Sequence, residues 1–405
     1  MHPDTIVSDI TTQVDYVWGA SDHHIAAYRQ SKQPGIILSS YIPYNRDPYA
    51  RGGSAKGIEN YTKQGWESRI LFKCDHKTPA AHPYSDPTRV LVPLDVTNPA
   101  VLEYQLELAK VNQAAGYDAI GFDNYDVQNN RYGACGVWRH DSTGVRKWMQ
   151  LYSGKESDPA YTQAAVDWLG RVKARVNALI TRRGKPMMVI PNFSLGSQNW
   201  DDSIVLQVGN HTDGILTESG FTGAGGGTSA TSPHGPHYVG DKWVQRVLFM
   251  RNLQAHGKAY FSNNEYGDYH HQKNDKLPCS QDHLNCIGKP IRQWIIASYL
   301  MGKDQASAIF ICGIGKYGNL TMYPEYSAPV GSPVGSPVAI GGGGGLWLRN
   351  YSKALVLVNP TVNQSLNAHL DDDEWSYTDL YGTPVTSSAI ILGPVSAQIL
   401  LRRHK

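Results

Sequence analysis

Residues 116–126 read GYDAIGFDNYD, and this stretch decides the predicted fold. Within it a short, largely apolar run, Asp118 to Phe122, ends in the acid Asp123. Such a run is typical of a strand that is covered on both faces. The preceding residues, Pro99 to Ala115, have apolar side chains at three- and four-residue spacing, and a first helical turn tolerates the leading proline. The sequence therefore predicts a helix followed by a buried parallel strand.

The same unit recurs along the first three-quarters of the chain. Eight strands alternating with helices over about 320 residues indicate an α/β fold of the (β/α)8 TIM-barrel type. A doubly wound sheet is the alternative, but the Gly-rich turn GxGxxG that it would carry after its first strand is missing from the sequence. The eight apolar runs are Val14–Trp18, Gly35–Tyr41, Val90–Leu94, Asp118–Phe122, Met187–Pro191, Gly214–Thr217, Lys258–Ser262 and Ala308–Cys312.

A second region follows a stretch rich in Gly, Pro and Ser. Residues 327–345 contain a doubled Val-Gly-Ser-Pro and a run of glycines, and they predict a linker or a long loop. Residues 346–405 alternate or run apolar between turn signals, which favours a small antiparallel β-sandwich. A domain of about 60 residues is marginal alone. It is therefore expected to pack against the barrel formed by residues 1–326.

Composition excludes several function classes. The chain has 405 residues, with 37 Lys and Arg against 35 Asp and Glu. A net charge this close to zero does not indicate binding to nucleic acid or to an anionic membrane. No run of about eighteen apolar residues is present that could span a membrane. The 24 Tyr and 10 Trp outnumber the 7 Phe, and such polar-edged aromatic residues suit surfaces that stack sugars as well as large cores.

Cysteine and histidine patterns indicate no metal site and no cofactor. No CxxC occurs, and Cys279 and Cys286 could either close a small disulfide loop or remain free thiols. Neighbouring histidines lack HExxH spacing or a carboxylate on a shared helix face, so a metal-dependent hydrolase is the weaker hypothesis. No GxSxG turn supports a Ser-His-Asp hydrolase. The histidine pairs are His23-His24, His234 with His237, and His270-His271.

Three acids follow predicted strands. Asp123 ends the fourth, Glu218 follows the sixth and Glu265 follows the seventh. Because the active site of a (β/α)8 barrel lies at the C-terminal ends of its strands, we expect these acids to lie together at that end of the barrel. Hydrolysis of a glycosidic bond needs one ionised carboxylate and one protonated carboxyl group. We assign Asp123 as nucleophile and Glu218 as acid/base, with Glu265 able to replace either. The alternative for each is a structural role as a helix cap or an ion-pair partner.

Polar and aromatic residues near the same strand ends are candidates for binding substrate. Asp126 could orient sugar hydroxyls or hold its loop, and Lys73 and Asp75 could grip hydroxyls or pair with each other. Asp95 is interpreted as a structural turn that starts a helix. The aromatic candidates are stacking platforms, with the protein core as the alternative for each. The full set is Trp18, Tyr41, Tyr44, Lys73, Asp75, Asn124, Asp126, Asn192 and Tyr266.

Several motifs together resemble retaining glycoside hydrolases with a (β/α)8 barrel. They are VPLDVTNPAV at 92–101, GYDAIGFDNYD, ILTESG at 215–220 and PVSAQILL at 394–401. In the dextranase-like and α-galactosidase-like groups the nucleophilic Asp ends the fourth strand and the acid/base follows the sixth. The resemblance, which extends to glycosyl-hydrolase-like families known mainly from sequence, therefore implies these roles for Asp123 and Glu218.

One departure concerns Asn263-Asn264-Glu265. This ending resembles enzymes whose nucleophile lies on the seventh strand. Those enzymes would carry Asn-Glu after the fourth strand, where this chain has Asp123-Asn124. The choice of the working pair therefore stays open among the three acids.

The leading hypothesis is a glycoside hydrolase that cleaves a polysaccharide or oligosaccharide with two carboxylates and retention of configuration. The rival is a non-catalytic carbohydrate-binding protein on a hydrolase-like barrel, and a lyase or transglycosylase using the same acids is a third possibility. The usual site of polymer degradation predicts a secreted or periplasmic protein, although Met1-His2-Pro3-Asp4 does not begin a signal-peptide pattern.

Overall fold

The computed structural model describes residues 14–30, 35–45, 66–81, 92–129, 133–193, 195, 200–223, 237–266, 289–304, 307–313, 322–341, 345–371 and 373–405. The chain divides into two compact units. The N-terminal unit comprises residues 11–193 and 206–214, and the C-terminal unit comprises residues 1–10, 194–205 and 215–405.

Strands and helices alternate in the N-terminal unit. In chain order they are β1 (Tyr16–Trp18), α1 (Ile25–Gln30), β2 (Ile37–Pro43), α2 (Pro99–Ala115), β3 (Ala119–Asp123), β4 (Gly136–His140), β5 (Arg146–Gln150), α3 (Pro159–Val176) and β6 (Met188–Val189). Helix α4 (Ser203–Asn210) and strand β7 (Gly214–Thr217) lie where the chain passes between the units.

The N-terminal unit contains a four-stranded parallel sheet. Its strand order is β1-β2-β3-β6. Every pair is parallel. Val17 of β1 lies opposite Leu38 of β2, Tyr41 of β2 lies opposite Gly121 of β3, and Ile120 of β3 lies opposite Val189 of β6. Parallel neighbours require crossover connections, and α1, α2 and α3 supply them here. The α/β character predicted from the alternating pattern is confirmed for this unit.

The local sequence explains why α2 and β3 follow each other. The side chain of Asn98 accepts a hydrogen bond from the Ala100 N–H at 2.9 Å and so caps the helix. Pro99 occupies the first turn, where its missing N–H costs no hydrogen bond. Gly116 ends the helix with φ of 109°, which a residue with a side chain rarely adopts. Strand β3 then begins in the core and becomes half-buried only at Asp123.

Trp168 of α3 fixes the helix layer against the sheet. Its ring is fully buried and lies edge-on to Tyr44 and Phe122, with centroids 4.6 and 4.9 Å apart. Its Nε1 donates to Gln105 of α2 at 2.6 Å. One large side chain therefore contacts β3, the end of β2 and the neighbouring helix, which defines where β3 lies.

The predicted strand over Val90–Leu94 is wrong for its described part. Leu94 makes only an isolated antiparallel bridge to Ile70, and residues 90 and 91 lie outside the described residues. Pro93 has no N–H and cannot continue a central parallel ladder. Strand β2 pairs directly with β3 instead, so among the described strands Asp123 ends the third of its sheet.

A disulfide-linked hairpin is inserted between β3 and α3. Strands β4 and β5 are antiparallel, with Trp138 opposite Trp148. Cys135, just before β4, is bonded to Cys74 of an earlier loop, with Cα atoms 5.1 Å apart and a sequence separation of 61. The sequence pattern missed this pair, and Cys279 and Cys286 lie outside the described residues.

Removal of this disulfide is expected to lower stability. In the chain-entropy account, opening a closed loop of this size costs about 4 kcal/mol of unfolding free energy. We predict that Cys74→Ser, whose site is exposed, moves the urea midpoint down to the value that the wild-type protein shows under reductant. The variant should not respond further to reductant. A wild-type midpoint that is the same with and without reductant would contradict the expectation.

The C-terminal unit has two parts. The first contains β7, α5 (Gly240–Ala255), β8 (Ala259–Tyr266), α6 (Lys289–Gly302) and β9 (Ser307–Gly313). Its sheet has the order β7-β8-β9, and β8 pairs with β9 in parallel, with Glu265 opposite Cys312. The alternation of strand and helix predicted for this region is therefore also present here.

The second part is antiparallel. Its strands are β10 (Pro333–Ile340), β11 (Leu346–Tyr351), β12 (Ala354–Asn359), β13 (Leu366–His369), β14 (Trp375–Asp379), β15 (Pro384–Val385), β16 (Ala389–Leu392) and β17 (Ser396–His404). A six-stranded sheet, β10-β11-β12-β17-β14-β15, and the pair β13-β16 enclose a core that includes Leu357, Ala368 and Leu392. The antiparallel sheet predicted for the C-terminal region is present.

Residues 333–340 correct the predicted linker over 327–345. They form β10, an edge strand that pairs with β11, for example Val338 with Leu348. The Gly and Pro content suggested a linker, but an edge strand tolerates prolines such as Pro333 and Pro337 because one side of it needs no ladder hydrogen bonds. Residues 342–344 lie outside the described residues.

The described strands of the predicted barrel form a four-stranded sheet in one unit and a three-stranded sheet in the other. Closure of a single barrel over residues 1–326 stays a prediction. None of the described helices is long and apolar enough to cross a membrane.

Candidate active site

Asp123 lies at the C-terminal end of β3 and its carboxylate is held by neutral donors. The Tyr41 hydroxyl donates to Oδ2 at 2.7 Å, and the Asn124 amide donates to the same oxygen at 2.5 Å. The Asn192 amide donates to Oδ1 at 3.0 Å. Three predicted site residues, Tyr41, Asn124 and Asn192, thus converge on the predicted nucleophile.

The partners of Asp123 differ from those of Asp118 and Asp95 in the same unit. Asp118 is buried with the Arg29 guanidinium 2.6 Å away, and the buried Asp95 pairs with Arg139 at 2.7 Å. No Lys or Arg of the described residues makes an ion pair with Asp123. Neutral donors orient a carboxylate without cancelling its charge. Asp123 therefore presents an oriented negative charge at the end of the strand.

The register of the sheet explains this convergence. Tyr41 lies opposite Gly121 and Pro43 opposite Asp123, so the Tyr41 side chain is on the same face as the carboxylate. Asn124 has φ of 53°, a conformation that asparagine tolerates better than most residues. That turn brings its amide back onto the neighbouring carboxylate.

Trp18 and Tyr41 form the aromatic part of this face. Their rings meet edge-on with centroids 5.4 Å apart, and Tyr41 is 46% exposed. Gly121 makes room for the indole, because a Cβ there would lie 2.4 Å from Trp18 Nε1 and 2.7 Å from the Ser40 carbonyl oxygen. The structure thus places a half-buried indole and an exposed phenol beside Asp123.

Other predicted binding residues have structural partners. Tyr44 is only 1% exposed and packs on Trp168 and Tyr125, so it cannot serve as a stacking platform. Asp126 accepts a hydrogen bond from the Gln128 N–H at 2.8 Å, which holds its loop. Asp95 accepts from the Thr97 N–H at 3.0 Å, as expected of a structural turn before α2.

Asp75 also closes a turn. Its carboxylate accepts hydrogen bonds from the Thr78 hydroxyl and from the N–H groups of Thr78 and Lys77. These bonds, with a smaller contribution from the positive charge of Lys73, lower the pKa of Asp75 to about 2. Lys73 and Asp75 are both exposed. A role of either residue in binding sugar hydroxyls stays a prediction.

The C-terminal unit contains the other two candidate acids. Glu218 follows β7, and Glu265 lies on β8 directly opposite Cys312 of β9. Burial raises the pKa of the Cys312 thiol, and the charges of Glu265 and Glu218 raise it further. Glu265 is only 4% exposed, and Glu218 is half-buried.

Asn263 completes this group. Its Oδ1 accepts a hydrogen bond from Cys312 Sγ at 3.5 Å, and its side chain is buried. The sequence pattern did not single out Cys312, although it ends the last predicted strand at the level where the other strands end in polar residues. Tyr266 ends β8, and its side chain lies outside what the structure describes.

Asp123 belongs to the N-terminal unit, and Glu218 and Glu265 belong to the C-terminal unit. The expectation that Asp123 and Glu218 face each other across one bond stays a prediction. Among the described residues, no three His, Cys, Asp or Glu side chains gather as metal ligands.

No protein-family model matches the chain, and no curated protein matches it. Several solved structures are similar to it. Cyclic α-maltosyl-(1→6)-maltose hydrolase from Arthrobacter globiformis is 12% identical, with 94% of this chain and 78% of that chain covered and a TM-score of 0.43. Trehalose-6-phosphate hydrolase from Bacillus licheniformis is 10% identical, with 94% and 85% covered and a TM-score of 0.47.

The glycoside hydrolase domain of PelA from Pseudomonas aeruginosa is 11% identical, with 76% of this chain and 92% of that chain covered and a TM-score of 0.40. All three similar structures are carbohydrate-active enzymes by their descriptions. Identities and TM-scores this low fix neither a family nor an activity for this chain.

Proposed function

We propose that the protein is a glycoside hydrolase that acts on an oligosaccharide or polysaccharide with two carboxyl groups and retention of configuration. Asp123 is the proposed nucleophile, and Glu218 is the proposed acid/base, with Glu265 as the alternative for the second role. The proposal rests on the environment of Asp123 and on the resemblance of the strand-end motifs to retaining hydrolases.

The single observation that carries the proposal is the hydrogen bonding of Asp123. Its two oxygens accept from Tyr41, Asn124 and Asn192, all of them neutral. Two buried acids of this unit, Asp118 and Asp95, each neutralise their charge with an arginine. A carboxylate that attacks an oxocarbenium-like centre must instead keep its charge and a fixed direction.

The surroundings of Asp123 also suit a sugar. The exposed ring of Tyr41 and the half-buried ring of Trp18 offer apolar surface with a polar edge. The amides of Asn124 and Asn192 are further polar groups at the same place, able to hydrogen-bond hydroxyls. A small polar cluster beside aromatic surface is the arrangement that sugar binding requires.

The proposed reaction has two steps. A carboxylate oxygen of Asp123 bonds to the anomeric carbon while the bond from that carbon to the leaving oxygen breaks, and the Glu218 carboxyl group gives its proton to that oxygen. In the second step the Glu218 carboxylate takes a proton from water, the water oxygen bonds to the anomeric carbon, and Asp123 is released. The steps move protons and one glycosyl group, so no cofactor takes part.

We further propose a secreted or periplasmic location. The disulfide between Cys74 and Cys135 supports it, because such bonds persist in oxidising compartments and are rare in the cytosol of mesophiles.

The proposal is tested with a panel of α- and β-linked 4-nitrophenyl glycosides and reducing-end assays on glycans. We expect release of nitrophenol or reducing sugar from at least one member, with the first-formed product retaining the anomeric configuration of the substrate by NMR. Saturable binding of a glycan without any cleavage would favour the non-catalytic carbohydrate-binding alternative. An inverted product would contradict the retaining mechanism, because it excludes a glycosyl ester intermediate.

A further inference from the structure

Asn264 is a fully buried amide on β8, next to the candidate acid Glu265. It is 0% exposed. Its Nδ2 donates to the carbonyl oxygen of Ser262 at 3.1 Å, to the Ser262 hydroxyl at 3.0 Å and to the Phe310 carbonyl oxygen on β9 at 3.2 Å. Its Oδ1 accepts from the Phe221 N–H at 2.7 Å. This side chain therefore ties two neighbouring strands to the segment that follows β7.

Gly220 brings that segment into direct contact with β8. Its N–H donates to the Asn263 carbonyl oxygen at 2.7 Å. A Cβ at Gly220 would lie 2.7 Å from Asn264 Oδ1 and would collide with the Ser262 hydroxyl. The backbone of residues 220–221 therefore lies against β8 with no space for a side chain, and two hydrogen bonds hold it there.

The alternation of β8 separates Asn264 from the acids. Side chains of successive strand residues point to opposite faces. Tyr260 shares its face with Asn264 and lies edge-on to Phe249 of α5, with centroids 6.0 Å apart. Asn263, on the other face with Glu265, contacts Cys312. Asn264 thus lies on the helix side of the sheet, away from the face that carries Glu265.

We propose that Asn264 is a positioning residue for Glu218, with Gly220 as its steric partner. Glu218 lies two residues before Gly220 and three before Phe221, so the two hydrogen bonds to β8 set the direction in which its carboxyl group leaves β7. This inference rests on the proposed function, in which Glu218 transfers the proton. Without Asn264, the Phe221 N–H loses its acceptor and the Glu218 backbone is free to shift.

The test compares Asn264→Ala with Asn359→Ala. Asn359 is an equally buried amide of the antiparallel domain, and its Nδ2 donates to the carbonyl oxygens of Gln364, Leu392 and Gly393. Both variants lose a similar set of buried hydrogen bonds, so both should lower the melting temperature. With the natural glycan that the wild type cleaves fastest, we expect Asn264→Ala to lower kcat about 100-fold, because a misplaced proton donor slows the departure of an alkoxide.

Two readouts separate positioning from stability. In Asn264→Ala, KM should stay within about threefold of wild type because substrate binding is retained, and hydrogen exchange over residues 217–222 should accelerate. Asn359→Ala should change neither kcat nor that exchange. Gly220→Ala, which displaces the same segment by steric overlap, should reproduce the kcat loss if Asn264→Ala does not fold.

The outcomes also separate this inference from the proposed function. Wild-type kcat in Asn264→Ala beside an inactive Glu218→Gln would overturn the positioning role alone. A kcat that falls equally in Asn264→Ala and Asn359→Ala would overturn it as well, because the loss would then follow stability. Full activity of Glu218→Gln would overturn the proposed role of Glu218 and this inference with it.

Discussion

Asp123→Asn is expected to lower kcat at least about a thousandfold, the largest effect of any single substitution at the proposed site. An amide cannot attack the anomeric carbon to form the glycosyl ester, so the first step loses its nucleophile. The substitution keeps the size of the side chain, and the half-buried position limits the cost of rearranging its hydrogen bonds to about 1 kcal/mol. Steady-state kinetics and a denaturation curve on the same sample check both parts.

Asp141→Asn is the matched control for Asp123→Asn. Asp141 also accepts hydrogen bonds from neutral groups, the Thr143 N–H and hydroxyl, but it pairs with Lys147 at 2.8 Å and lies in the turn of the β4–β5 hairpin. The substitution Asp141→Asn should therefore leave kcat unchanged. Turnover within about tenfold of wild type in Asp123→Asn would remove the nucleophile from this position, since such a loss fits a residue that only supports the site.

Glu218→Gln is expected to have the second-largest effect, and the effect should depend on the leaving group. Removal of a general acid costs about 10²–10⁴-fold. A nitrophenolate leaves without much help from a proton, whereas an alkoxide of a natural sugar needs it. We therefore expect kcat/KM on a natural glycan to fall far more than kcat/KM on the nitrophenyl glycoside of the same sugar.

Azide provides a second readout for the same substitution. In the second step Glu218 acts as a base toward water, and azide is a nucleophile that needs no base. Added azide should restore turnover of the nitrophenyl glycoside by Glu218→Gln and yield a glycosyl azide. No rescue, together with a loss that is equal for all leaving groups, would contradict the acid/base role of Glu218.

Glu265→Gln decides between the two glutamates. The charges of both carboxylates raise the pKa of the Cys312 thiol, and Glu265 is the more deeply buried. If Glu218 transfers the proton, Glu265→Gln should lower activity without dependence on the leaving group and without azide rescue. If instead Glu265→Gln shows leaving-group dependence and azide rescue and Glu218→Gln shows neither, the acid/base role belongs to Glu265.

Much of the local structure can be predicted from the sequence. The run that ends at Asp123 gives a strand with its acid at the strand end, because a continuous apolar run bounded by a capped helix has few other solutions. The same reasoning places Glu218 directly after β7. Elements defined by contacts close in sequence are thus predicted well.

Contacts across long sequence separations could not be predicted in this way. The run at Val90–Leu94 looks like a strand, but whether it enters the sheet depends on partners such as Ile70, and Pro93 opposes a central ladder. The partner of Cys74 is 61 residues away, and no spacing rule identifies it. Residues 333–340 look like a linker because their glycines and prolines suit one, yet they also suit an edge strand.

The candidate site shows the same division. Tyr41 and Tyr44 are the same residue type, three positions apart. The pairing of β2 with β3 places Tyr41 beside Asp123, whereas Tyr44, just beyond the strand, is buried against Trp168. Asn263 and Asn264 are adjacent and chemically identical, yet strand alternation places them on opposite faces. Their different surroundings follow from the positions of the two residues along the strand, which the residue type alone does not predict.

The most direct test of the central claim is covalent trapping of the proposed glycosyl ester. The wild-type protein is incubated with an activated 2-deoxy-2-fluoro analogue of the sugar that it cleaves, which slows release of a glycosyl ester, and peptide mass spectrometry then locates the label. A glycosyl group on Asp123 is the result that this account predicts. A label on Glu265, or turnover of substrate with no labelled residue, would contradict it.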